Sequence, residues 1–241
     1  MFGGYFYWTY LLSNPYYLMG TILVVIAMLF SIYAQARVKG TYAKYKRVGN
    51  HLNMTGAQVA RQILDSHGMS DVPVNRVGGE LSDHFNPGNR TINLSESIYS
   101  GTSVASMAVA AHECGHAIQH HEGYAPIRVR NAILPFCNVG NYLGWIAVMI
   151  GLIFGYTKVA WIGFILMLGI LAFQVITLPV EFNASSRGLA ILKSQYLTAD
   201  EYAGAASMLS AAALTYVAGV AATLASMFRL FLVILSNSRN D

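Results

Sequence analysis

Four stretches of this 241-residue chain contain no Asp, Glu, Lys or Arg: 1–36, 131–157, 159–180 and 202–228. Each is at least as long as the roughly 20 residues an α-helix needs to cross the hydrocarbon core of a bilayer. An ionised side chain at the centre of that core costs about 3 kcal/mol or more, so gaps of this length in the charge pattern mark membrane spans. The composition agrees. Only 11% of residues are charged and 55% are hydrophobic, where about a quarter of a soluble domain is charged. Disorder, a fibrous repeat and an ordinary cytosolic enzyme are excluded. The expected fold class is a mainly α integral membrane protein, with three to four transmembrane helices and a small α+β domain carrying a β-hairpin edge.

The net charge of +4 does not point to nucleic acid, and no nucleic-acid partner is expected. Five of the fifteen basic residues, Arg37, Lys39, Lys44, Lys46 and Arg47, directly follow the first apolar run, where they orient a span. Two cysteines, Cys114 and Cys137, are too few for a framework of disulfides. The first span has no basic start and no small-residue cleavage site, so it reads as a retained anchor rather than a signal peptide.

The expected organisation begins with an aromatic-rich segment at the lipid boundary (1–15) and a first span (16–35), together 1–35. A polar domain over 36–137 holds all seven histidines. A helical hairpin over 138–180 turns at Tyr156-Thr157-Lys158. A second polar segment covers 181–201, and a C-terminal helix lies in 202–241. The run 203–228 is rich in Ala, Gly and Ser, which suits either a close-packed fourth span or a buried helix of the polar domain. Within 36–137, Thr55-Gly-Ala-Gln58 is a capping box opening a helix that Gly68 closes. Residues 72–79 read as a strand. Asn86-Pro87-Gly88-Asn89 has Pro and Gly where a type II turn needs them, joining 81–85 to 90–94 as a hairpin. Thr102 or Ser103 starts a helix that stops at Gly123, and Pro126 and Pro135 bracket a linker.

Segments 36–137 and 181–201 hold twelve of the fifteen basic residues, so the positive-inside rule puts both in the cytoplasm. An even number of crossings separates them, which keeps them on one side of the membrane whichever way the chain is inserted.

His112-Glu113-Cys114-Gly115-His116 carries the chemistry. On a helix, residues four apart share a face, so both imidazoles reach one tetrahedral zinc, while Glu113 lies near the open coordination position as general base. A third protein ligand is required. The longer metzincin pattern breaks at Gln119 and Glu122, although Glu122 stays a candidate ligand. His120 and His121 fall on the last turn, as surface or supporting residues. Glu181, in Leu178-Pro-Val-Glu181-Phe-Asn-Ala-Ser-Ser-Arg187, is the better candidate: a carboxylate abutting an apolar helix is costly unless it is paired or holds a metal.

AVAAHECGHAIQH, followed after a membrane hairpin by LPVEFNASSRG, resembles the neutral zinc metallopeptidases of bacterial membranes, the YugP-like family, over nearly the whole chain. The resemblance implies a zincin-like peptidase domain with a gluzincin-type site. One Zn2+ per chain would sit on His112, His116 and Glu181, with Glu113 as base. The arrangement is also similar to membrane peptidases of the HtpX and CAAX-processing types. Those carry Asp four residues after the third ligand, where this chain has Ser185. Asn183, Ser185 and Arg187 therefore all compete as partners of the zinc histidines. In such peptidases an exposed edge strand grips an extended substrate through its main chain, which here points to Thr91, Ile92, Asn93 and Leu94 within 90–95. His84 is either an oxyanion stabiliser or a solvent-facing strand residue.

The expected function is a multi-pass cell-membrane zinc endopeptidase with its peptidase domain in the cytoplasm. Its partners would be the lipid bilayer, a peptide or protein substrate, and a membrane-protein partner or second copy packed on small-residue helix faces. An intramembrane protease would need an Asp ligand inside a span. Asp65, Asp71, Asp83, Asp200 and Asp241 all lie outside the uncharged runs. A zinc-binding scaffold or metal transporter is the reading from another class. The scaffold has no use for Glu113, and the spans lack the mid-membrane ligands of a transporter.

Overall fold

The computed structural model describes residues 15–238; the expected boundary segment falls almost wholly outside these residues. In chain order they form α1 (Pro15–Tyr45), α2 (Gly56–Ser66), β1 (Val74–Val77), β2 (His84–Asn86), β3 (Thr91–Ser95), α3 (Glu96–Tyr99), α4 (Val104–His121), α5 (Ala125–Ile153), α6 (Thr157–Gln195) and α7 (Ala199–Ser238). Among the described residues, α1, α5, α6 and α7 are each long and apolar enough to cross a membrane.

Two compact units emerge. One gathers residues 15–33, 130–176 and 216–238 of the described chain; the other gathers Ala34–Val129 and Thr177–Thr215. In the first, α5 and α6 meet through small residues. A side chain at Gly144 would collide with Met167 and Gly163, and one at Gly163 with Gly144 and Val148, so the backbones approach as lipid-embedded helices do. Trp161 meets Phe164 and Phe231 edge-on beside them, and the two phenylalanine rings are tilted against each other.

The second unit has a conventional core. Val59, Ile63 and Leu64 of α2, Ile92 and Leu94 of β3, and Val104, Met107 and Ala111 of α4 are fully buried in one cluster. The local signals read from the sequence operate here. Thr55 caps α2 with a reciprocal Gln58 bond, and Gly68 leaves it with φ +71°. Ser103 caps α4 through the Ser106 amide, and Gly123 follows with φ +66°.

Several expectations are corrected. Pro126 and Pro135 do not bracket a linker, because both lie inside α5. Pro126 sits in the first turn, where its missing N–H costs nothing. The hairpin loop is not a type II turn. Gly88 does not take positive φ; Arg90 does, at 54°, and the Asn86 side chain captures the Gly88 amide at 2.8 Å. The run 203–228 serves both readings given for it. Ala205, Met208 and Leu209 pack in the core of the second unit, while the helix from Tyr216 onward belongs to the first.

The main correction concerns 90–95. The sheet order is β1-β3-β2, with β1 parallel and β2 antiparallel to β3. Thr91–Ser95 is thus the central strand and is buried throughout. Thr91, Ile92, Asn93 and Leu94 do not form an open edge, because β1, distant in sequence, pairs on their other side. The hairpin edge is β2.

Within this unit α4 crosses α6 at very short range. A Cβ at Gly115 would strike the Ala184 carbonyl, and one at Gly188 would strike that of Ala111. The facing residues on α6 are Glu181, Ala184, Ser185 and Gly188, spaced as one helical stripe. A helical Gly→Ala change ordinarily gains up to about 1 kcal/mol. Gly115→Ala is expected to reverse that sign and cost roughly 1–3 kcal/mol through overpacking, read as a lower unfolding temperature of the detergent-purified protein.

Candidate metal centre

The stripe on α4 that faces α6 is Ala111, His112, Gly115, His116 and Gln119. It opposes a carboxylate on α6: the Nε2 atoms of His112 and His116 each lie 3.5 Å from Glu181 Oε2. Ligand atoms of the three residues all fall within 4.8 Å of one another. The two imidazoles stand edge to face, with centroids 4.7 Å apart. Glu181 is 4% exposed, so its carboxylate has little water to satisfy it.

The outward-facing nitrogens are already engaged. His112 Nδ1 is 3.1 Å from Ser185 Oγ, and His116 Nδ1 is 3.0 Å from Gln119 Oε1. Each ring therefore keeps Nε2 for whatever lies between it and Glu181. Burial works against a charged His116, but Glu181 and Glu113 outweigh it and raise the imidazole's basicity. The two carboxylates thus act on this imidazole together.

Glu113, also buried, directs its carboxylate to the sheet, where Oε2 accepts the Phe85 amide at 2.8 Å. That amide is free because Phe85 stands opposite Ile92, whose own N–H donates instead to Pro73. Cys114 shares the motif but not the site. Its thiol donates to the Ala60 carbonyl, and burial pushes its pKa up, so it stays un-ionised.

The structure sorts the remaining candidates. Ser185 meets His112. Asn183 engages Gln119 and Arg187: its Oδ1 accepts from Gln119 Nε2 at 3.0 Å and from Arg187 Nε at 2.8 Å. Arg187 pairs with Glu122 at 2.7 Å, and this half-exposed Glu122 is not part of the ligand cluster. His120 packs on the Phe85 ring and His121 is exposed. His84 is exposed on β2, with Nδ1 2.8 Å from the Ser82 carbonyl and Nε2 3.2 Å from Asn93. Gln119 was missed. Its signal in the sequence was a large amide, three residues past His116, on the face that carries both histidines.

A divalent ion fits this donor set. Glu181 Oε2 is buried without a hydrogen-bond partner, the penalty such an atom otherwise carries is about 1–3 kcal/mol, and two imidazole nitrogens with one carboxylate are the ligands of many catalytic zinc sites.

Comparison with known proteins points the same way. The profile of a family described as "Putative neutral zinc metallopeptidase" matches residues 20–235. A protein of Bacillus subtilis (strain 168), named "Putative membrane protease YugP", is 42% identical over 222 residues, covering 91% of this chain and 97% of that one. No solved structure matches the chain. The geometry makes a direct prediction about the third ligand: Glu181→Ala lowers bound zinc, measured by metal analysis of purified protein, whereas Glu122→Ala leaves it unchanged.

Proposed function

The chain belongs to this family of neutral zinc metallopeptidases, and from that premise we propose that it is a membrane-embedded, zinc-dependent endopeptidase. One observation carries the reading. Two imidazole nitrogens and an orphaned buried carboxylate oxygen converge, with a second carboxylate, Glu113, next in sequence to the first histidine.

His112, His116 and Glu181 would hold the metal, which when bound would supply Lewis-acid polarisation of the scissile carbonyl and a more acidic water. Glu113 takes the proton of the attacking water and delivers it to the departing amine, a general acid–base role worth about 10²–10⁴-fold in rate. The Phe85 amide steadies one oxygen of that carboxylate. Ser185 and Gln119 keep the two imidazoles turned with Nε2 inward. The helix α4 and the sheet β1-β3-β2 form the zincin-like peptidase domain. β1 and β2 are its two outer strands; an extended peptide adds along β2, at His84–Asn86, by main-chain hydrogen bonds, with Thr91, Ile92, Asn93 and Leu94 backing that strand from inside the sheet. Asn183 and Arg187 act behind Gln119, and His84 flanks the gripping strand.

The peptidase domain lies in the cytoplasm, on the charge asymmetry of the chain. The four apolar helices fix it to the bilayer, within reach of flexible cytosolic tails or damaged membrane proteins as substrates. A catalytically inert zinc scaffold is the competing reading, and it gives Glu113 no task.

Glu113→Gln separates the two. Zinc content should be retained while cleavage of casein or a peptide library falls by about 100-fold or more. Unchanged cleavage would overturn the mechanism, and a parent protein that binds zinc but cleaves nothing would favour the scaffold. The orientation has its own test. A cysteine introduced at Thr157 should react with an impermeant thiol reagent from outside the cell, and one at Gly123 should not.

A further inference from the structure

Gln119 is fully buried, and every polar atom of its amide meets a partner in or beside the ligand cluster. Its Oε1 faces His116 Nδ1 at 3.0 Å. Its Nε2 donates to the Val180 carbonyl at 2.8 Å and to Asn183 Oδ1 at 3.0 Å. Val180 immediately precedes Glu181, and Asn183 follows it by two residues.

The polarity of this chain of bonds is fixed from both ends. A backbone carbonyl only accepts, so the Gln119 NH₂ must face Val180. A guanidinium only donates, so Asn183 must turn Oδ1 toward Arg187 Nε, which lies 2.8 Å away, and that oxygen again requires the Gln119 NH₂. The carbonyl end of Gln119 is left for His116, which must present Nδ1–H to it. His116 Nε2 then carries the lone pair that a metal takes. His112 has no such constraint, because the Ser185 hydroxyl donates or accepts equally well.

We propose that Gln119 is a positioning residue of the metal site. Through Val180 and the Arg187–Asn183 pair it fixes the tautomer and ring orientation of His116, and it ties that ligand to the Val180 carbonyl and the Asn183 side chain, which flank Glu181. The inference rests on the zinc site proposed above. Partners of this kind typically contribute 10–100-fold in metal affinity.

The test is a zinc competition titration of the full-length detergent-purified protein against a chelator of known affinity, alongside unfolding of the metal-free form. Gln119→Met keeps the volume and removes both the acceptor and the donors. It should weaken zinc about 10–100-fold and alter the visible spectrum of the cobalt-substituted protein, while the metal-free unfolding temperature drops little. Asn183→Leu leaves Val180 as anchor and should weaken zinc less than Gln119→Met; Asn183→Asp keeps the acceptor for Gln119 and Arg187 and should restore affinity. Should Gln119→Met not fold, the Asn183 pair decides: equal affinities for Leu and Asp overturn the proposal. Undiminished affinity in a folded Gln119→Met overturns it too. If the parent protein binds no stoichiometric zinc, the metallopeptidase reading fails first, a distinguishable result.

Discussion

The close crossing of α4 and α6 is the contact on which the rest of the candidate metal centre depends. Two helices that touch through Gly115 and Ala184, and through Gly188 and Ala111, leave no room for side chains at the crossing itself. The residues flanking it are thereby forced to meet. His112 and His116 lie on either side of Gly115 along α4, and Glu181 and Ser185 on either side of Ala184 along α6. A wider crossing would leave imidazole and carboxylate separated by water, and the orphaned oxygen of Glu181 would not arise. The glycine inside the histidine motif is therefore a structural requirement of the site.

Much of this was legible in the chain. The two histidines four residues apart announce a shared helix face, and capping signals at Thr55 and Ser103 fix where helices begin, because both kinds of information are local. Glu181 could be singled out on energetic grounds, as a lone carboxylate beside an apolar run. What escaped is what depends on distant neighbours. The hairpin was visible, but which of its strands lies outermost depends on β1, which pairs in parallel from earlier in the chain. Gln119 belongs to α4, yet two of its partners lie on α6, and no local spacing encodes them. Pro126 and Pro135 looked like breakers, although a proline in a first turn or within a long apolar helix ends nothing when packing holds the backbone.

The chain also solves a problem of placement. A cluster of two histidines and a carboxylate is polar and the bilayer excludes it, so the apolar runs and the cluster have to be separated along the chain. α6 does this within one unbroken element of 39 residues: it carries no charge over 159–180, and Glu181 is the first charged residue after Lys158. The family match and the relative extend over almost the whole chain, so the apolar helices are part of what the family shares and not an appendage to a soluble peptidase.

The bond between Glu113 and Phe85 has a consequence of its own. One amide hydrogen cannot serve two oxygens at full strength. Any backbone that docks along β2 and seeks the Phe85 N–H must therefore contend with the Glu113 carboxylate already sitting there. Under the function proposed above, occupancy of the strand and freedom of the Glu113 carboxylate become two sides of a single exchange, in which an arriving guest unfastens the group that is to act on it.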